Sequence, residues 1–361
     1  MTKLGGPSPT ISQVALQARV SRATVSRAFS RPDLLSVETV RKVHEVAKCI
    51  GYMPNMVARA LSTGRHDNIA IVVPDIANPF FPPLIRGSQA RADAGGFSVF
   101  LADSNEDAAR EDTLVTRLSM QVAGFILASS RLSTDQIRAH ASRRPLVLIN
   151  RDIPGSPRVL IDTGKGMASA VKHLFGMGHR RIAYVAGPPS SWSNQQRRGA
   201  IRESGKRLQM DVFLIQAPAP TYEAGMEVVG KVIESGATAV IAFDDLVAQG
   251  VIAGLAAKGY AVPARMSVIG CDDVLAATMH PQLTSIAGHG YEAGRVAVDL
   301  LLSILEEGGA REVRHVIGAE LVVRATTSKP IEPVGAKIAS DAARGSRRRL
   351  DGARRPRPAD S

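Results

Sequence analysis

The stretch "TISQVALQARVSRATVSRAF", Thr10 to Phe29, reads as two short amphipathic segments with a polar turn between them. Thr10 stands where it can cap the first helix and Ser21 where it can cap the second, because a hydroxyl accepts from the unpaired N–H groups of a first helical turn. On the second segment Val25, Ala28 and Phe29 share a face, and Val14, Ala15 and Val20 are available to pack against it. The opposite side carries Ser-Arg twice, at Ser21-Arg22 and Ser26-Arg27. A spacing of five sets the two arginines about 140° apart around a helix axis, so they cannot share one role. Arg22 lies in the first turn, where a helix entering the major groove offers side chains to base edges and an arginine can donate twice to guanine.

Working outward, the helical texture runs from Ile11 to about Ser62 through "VETVRKVHEVAKCI" and "NMVARALS". Charge follows the same boundary. The 361 residues carry a net charge of +12, and residues 1–66 hold 10 Lys/Arg against 3 Asp/Glu. Residues 329–361 hold 9 against 4, and everything between is balanced. The N-terminal block therefore has the electrostatics of a nucleic-acid binder. The tail, "KPIEPVGAKIASDAARGSRRRLDGARRPRPADS", has too few large apolar residues to offset its ordering entropy and is expected not to fold.

After "STGRHDN" apolar runs alternate with helical stretches: "IAIVVPDI", "SVFLADS", "GFILASS", "PLVLIN", "RVLID", "RIAYVAG", "DVFLIQA", "AVIAFDD" and "SVIGCDD". Such runs mark parallel sheets covered on both faces, and their number suggests two sheets. The predicted class is α/β, an all-α helix-turn-helix module followed by two Rossmann-like parallel-sheet lobes with a cleft between them. Ligands of such lobes sit at the carboxyl ends of strands. Those ends offer Asp75, Asn78, Phe80, Phe81, Asp162, Phe243, Asp244 and Asp272. Carboxylates facing aromatic rings suit a hydroxyl-rich ligand, since each Asp can accept from two hydroxyls while a ring covers an apolar face.

Other classes are disfavoured. The sole cysteines, Cys49 and Cys271, sit in apolar patterns and read as two reduced, buried thiols. The N-terminus has no signal-like apolar region, and no run of about 18 apolar residues occurs to span a membrane. There is no Walker motif, G-x-S-x-G or H-E-x-x-H, and His173, His179, His280 and His289 lie at no metal-ligand spacing, so no enzyme, cofactor or metal is expected. An enzyme or a freestanding binding protein using the two-lobed core remains the alternative.

The whole of residues 10–64, including the third helix, the "GYMPN" link and the segment after it, resembles the DNA-binding domain of LacI/GalR-type bacterial transcription regulators. The resemblance continues through "IAIVVPDIANPFF", "INRDIPG", "GHRRIAYVAGP", "FDDLVAQGV", "VPARMSVIGCDD" and "LTSI" to about Thr327. It implies a periplasmic-binding-protein-like core and a cytoplasmic, homodimeric repressor. Double-stranded operator DNA and a sugar or polyol effector are the implied partners. It implies base reading by Arg22, Ala23 and Arg27, phosphate contact by Ser21, Thr24 and Ser26, and further DNA contact by Tyr52, Asn55 and Ala58. Leu61 matches a leucine wedged between base pairs by a hinge helix over about 54–63. The implied domains are 1–64 for DNA, 65–328 for ligand and dimerisation, and 329–361 for the tail. Within the core, lobe 1 takes about 65–162 and 291–320, and lobe 2 about 163–290 and 321–328.

The same resemblance nominates Phe80, Phe81, Asp162, Arg197, Asp244 and Asp272 for the effector. This chain departs from the family pattern at four places. "RRGAI" stands for R-x-x-G-F, which puts Arg197 in register only if Ala200 and Ile201 replace Gly and Phe; the other register offers Gln196. Asp244 replaces a usual Asn, and Pro220 stands where an aromatic often closes the pocket. Arg19 occupies a turn position that normally takes Gly, so either the turn differs or a left-handed residue with a Cβ is tolerated.

Overall fold

Apolar spacing sets out three N-terminal helices, α1 (Ile11–Ala18), α2 (Arg22–Ser30) and α3 (Val37–Ile50). The structure, a computed structural model, describes residues 9–53, 66–308 and 312–331. The chain divides into two units, Met1–Asp67 and Asn68–Ser361. The hinge segment with Asn55, Ala58 and Leu61, and the tail beyond 331, lie outside the described residues.

In the first unit Thr10 forms a capping box with Gln13, whose side chain accepts from the Thr10 N–H at 2.7 Å. Ser21 caps α2 by accepting from the Thr24 N–H at 3.0 Å. Val14, Ala15 and Ala18 of α1 pack on Val25 and Ala28 of α2 and on Val43 and Ala47 of α3. Phe29 joins this core and lies 4.6 Å from the His44 ring. Cys49 is exposed, contrary to expectation. It sits two residues after buried Ala47, hence on the far side of α3.

Arg19 ends α1 in the left-handed conformation, φ 53°, and the Val20 N–H reaches back to the Ala15 carbonyl at 3.0 Å. The turn thus keeps its glycine-like geometry with arginine in it. Replacing Arg19 with Gly should raise the stability of the module by about 1 kcal/mol, since an L side chain costs roughly that in this region. If exposed Arg19 also touches a phosphate, the slope of log affinity for DNA against log salt should fall by about one. Denaturant unfolding reads the first and filter binding across a salt series the second; an unchanged slope removes the contact.

The second unit is built on two six-stranded sheets. The first comprises β1 (Asn68–Val73), β2 (Ser98–Asp103), β3 (Gly124–Ala128), β4 (Leu146–Ile149), β5 (Arg158–Asp162) and β11 (Arg314–Gly318). They lie in the order β11-β5-β4-β3-β1-β2, all parallel. The second comprises β6 (Arg181–Ala186), β7 (Asp211–Gln216), β8 (Ala239–Ala242), β9 (Ser267–Asp272), β10 (Thr284–Ala287) and β12 (Glu320–Val322). Their order is β12-β10-β9-β8-β6-β7, with β12 alone antiparallel. Each sheet reverses its winding between its first and third strands, the position at which doubly wound folds open a crevice. The chain passes between sheets after β5, after β10 and between β11 and β12.

All nine apolar runs form strands, and β10, β11 and β12 are additional. β10 is short and opens on buried Thr284 and Ser285, while β11 and β12 are edge strands with largely uncovered side chains. None of the three shows a continuous apolar run.

Two helices covering the first sheet, α4 (Phe81–Ala94) and α12 (Gly290–Glu307), cross at backbone contact. A Cβ on Gly87 would stand 2.0 Å from the Tyr291 carbonyl oxygen, and one on Gly294 2.1 Å from that of Leu84. Glycine at both positions lets α4, whose N-terminal Phe81 lines the cleft, lie in backbone contact with α12.

Candidate effector cleft and nucleic-acid interface

The two walls of the cleft come from carboxyl ends of strands. From the first sheet, Asn78, Phe80 and Phe81 follow β1, Glu106 follows β2, Ser129 and Arg131 follow β3, and Asn150 follows β4. From the second, Ser191, Ser193 and Arg197 follow β6, Pro220 follows β7, Phe243 and Asp244 follow β8, and Asp272 ends β9. Four of these, Glu106, Ser129, Asn150 and Asp272, have positive φ of 59°, 50°, 54° and 103°. Non-glycine residues in such conformations cluster where a surrounding structure fixes polar groups for a ligand.

Arg197 is positioned by the start of α8 (Trp192–Arg207). Ser191 caps that helix, and Asn194 binds it down, accepting from the Tyr184 hydroxyl at 2.9 Å and donating to the Gly187 carbonyl at 3.1 Å. One turn on, the buried Arg197 guanidinium donates to Asp272 Oδ1 at 3.0 Å, to Thr163 Oγ1 at 3.3 Å and to the Phe243 carbonyl. It lies over the Phe243 ring, 4.8 Å from its centroid. Gln196 is exposed, so the first of the two registers is the one the fold uses.

Asp244 caps α11 (Asp245–Ala257), accepting from the Val247 N–H at 2.8 Å. Its other oxygen accepts from Asn78 Nδ2 at 3.0 Å, a hydrogen bond that joins the two walls. Burial, with the negative Asp272 beside it, pushes the Asp244 carboxyl above the usual carboxylate range. Burial also raises Asp272, outweighing the opposing pull of Arg197. Phe80 and Phe81 meet edge to face at 5.1 Å.

The cleft therefore gathers Phe80, Phe81, Arg197, Asp244 and Asp272. Asp162 stands apart from these residues. It caps α7 (Thr163–Gly176), accepting from the Gly164 N–H at 3.2 Å, and is not among the lining residues. Its strand leads into the crossover between sheets, and Asn150 of neighbouring β4 supplies the polar group at the cleft. Asp75 likewise serves its own loop, accepting from the Ala77 N–H at 2.8 Å. Glu106, Ser129, Arg131, Asn150, Ser191 and Ser193 were not anticipated. Ser129 and Arg131 follow the apolar run "GFILA", so strand-end reasoning extended to that run would find them.

On the first unit Ser21, Arg22, Ala23, Ser26 and Arg27 are exposed along α2. Thr24 is half-buried, its hydroxyl 2.9 Å from that of Ser21. Tyr52 is half-buried too, its ring 6.0 Å from Phe29, and burial raises its phenol.

Residues 10–55 match the bacterial regulatory proteins of the lacI family, and residues 171–327 match the periplasmic binding protein-like domain. The HTH-type transcriptional repressor CytR of Escherichia coli strain K12 is 32% identical over 329 residues, 88% of this chain and 96% of its own. The chain belongs to the LacI family. As a member it is a DNA-binding transcription regulator, with α2 as the second helix of its helix-turn-helix. Among solved structures this LacI-family chain is similar to the Lac repressor dimer bound to operator and the anti-inducer ONPF. That match has a TM-score of 0.80 and 26% identity, covering 89% of this chain and 99% of the other. It is similar also to a LacI-family regulator from Enterococcus faecium with bound ribose, at TM-score 0.67 and 27% identity over 73% of this chain and all of that one. Among the described residues no helix is long and apolar enough to cross a membrane.

Proposed function

We propose that the protein is a cytoplasmic homodimeric repressor whose paired helix-turn-helix units read a pseudo-palindromic operator, and whose cleft takes a neutral sugar or polyol. Two-fold symmetry in the protein then matches two-fold symmetry in the DNA, as the dimeric arrangement of the similar Lac repressor on its operator supports. Arg22, Ala23 and Arg27 read bases, Ala23 by shape or a thymine methyl, and Ser21, Thr24 and Ser26 hold phosphates. Tyr52 and Asn55 contact the DNA backbone at the junction, and Ala58 and Leu61 belong to the segment directed to the minor groove.

One observation carries the effector reading: Asp244 and Asp272 on the second-sheet wall and Phe80 and Phe81 on the first-sheet wall line one cleft. Acceptors opposite rings suit hydroxyls on an apolar frame, and a similar regulator holds ribose. Ligand closes the lobes and thereby changes the affinity for DNA, a coupling between two distinct sites.

A thermal-shift screen of neutral monosaccharides and polyols on the full chain tests this. A ligand at about 100 times its Kd adds roughly 2.7 kcal/mol of stability. The same compound should change a gel shift on DNA upstream of the encoding gene. No sequence-specific complex at moderate salt removes the regulator of that site, and no sugar that shifts melting removes the effector class.

A further inference from the structure

Five charged side chains line the cleft: Glu106, Arg131, Arg197, Asp244 and Asp272. Arg197 is engaged by Asp272, Thr163 and the Phe243 carbonyl. Arg131 is the other cation, and its side chain is buried. Glu106 forks onto it, Oε2 accepting from Nε at 2.5 Å and Oε1 from Nη2 at 2.9 Å, while Nη1 donates to the Ser129 carbonyl at 2.6 Å. Glu106 is held in place by its own backbone, in a left-handed conformation with φ 59° and its N–H on the Pro74 carbonyl at 2.7 Å. Beneath, the buried Glu111 accepts from the Arg131 N–H at 2.8 Å.

We propose that Glu106 determines effector specificity by occupying Arg131, so that the cleft admits a neutral hydroxylated ligand and refuses one bearing a phosphate or carboxylate. The proposal rests on reading the cleft as a sugar or polyol site. Arginine forks bind phosphate and carboxylate groups with the same two parallel bonds that Glu106 now makes. With Glu106 in place an entering anion meets both arginines already paired and three carboxylates around it. Without it, Nε and Nη2 of a buried guanidinium lose their partner, Nη1 alone staying on the Ser129 carbonyl, and the freed pair of donors takes an anion that fits.

Isothermal titration of inorganic phosphate and of D-gluconate into the full chain tests this. The unaltered protein should give no saturable binding at millimolar concentration. Glu106→Ala should bind at least one of the two at least about tenfold more tightly, and adding Arg131→Met should abolish that gain. Phosphate or gluconate binding by the unaltered protein overturns the proposal, as does a folded Glu106→Ala without the gain. Should that variant melt early, Glu106→Gln, which keeps the shape and drops the charge, decides in the same way with a smaller gain. A neutral-sugar titration in parallel separates the two readings. If no sugar binds the unaltered protein but the variant gains phosphate, the sugar reading fails and the role of Glu106 stands. If a sugar binds and the variant gains nothing, the reverse holds.

Discussion

Replacing Arg197 with Met should destabilise the second unit by about 3–5 kcal/mol, because it strips a buried ion pair of one partner and leaves the other charge in place. The Arg197 and Asp272 side chains are 5% and 8% exposed, so solvent cannot stand in for the lost guanidinium. The deficit should depend on pH. Asp244 and Asp272 titrate above their ordinary range in the folded protein, so their stabilising effect is fully present below the unfolded carboxylate value and is lost as pH rises through the folded values. Removing Arg197 raises those folded values further and steepens the loss. Denaturant unfolding of the variant should therefore show a smaller deficit near pH 5 than near pH 8. An equal deficit at both would mean that Arg197 contributes through packing on Phe243 and not through charge. Sugar titration of the same variant should show no binding even where it is folded, since Arg197 also anchors the second-sheet wall.

Replacing Arg22 with Ala should relax sequence preference at one base pair in each half-site, at a cost of about 1–3 kcal/mol. Arg22 is exposed at the first position of α2, and nothing in the packing of the three helices uses it. Melting should be unchanged. Binding to a library randomised in each half-site is the measurement: loss of preference at one position supports base reading, whereas uniform weakening at every position assigns Arg22 to the phosphates. Arg27, displaced around the axis, should affect a different position.

Helix starts and continuous apolar runs were legible in the sequence because each is a local signal. Thr10 and Ser21 mark their helices through hydroxyls that act within one turn, and nine strands announce themselves as unbroken apolar runs. The remaining strands depend on partners far along the chain: β10 buries Thr284 and Ser285 beside β9 and β12, which no periodicity reveals. The cleft divides in the same way. Phe80, Phe81, Arg197, Asp244 and Asp272 could be nominated from the sequence, and Asp162 with them, whereas Asn150, equally a polar residue at a strand end, was not. The difference lies in sheet order, since β4 adjoins β3 beside the winding reversal whereas β5 lies one strand further out. Glu106 and Arg131 were missed because their meaning is joint. Twenty-five residues separate them, and neither is informative until the fold sets them side by side.

The last passage of the chain between sheets has a genetic consequence. β11 and β12 lie two residues apart, and one is an edge strand of the first sheet, the other of the second. Beyond them Thr326, wholly buried, accepts from the Thr284 N–H at 2.8 Å and donates to the Val268 carbonyl at 2.7 Å. A premature stop just after α12 thus strips both lobes at once and spares neither. No truncated allele can keep one intact lobe, and no fragment of contiguous chain corresponds to a lobe that could be inherited, shed or exchanged by itself.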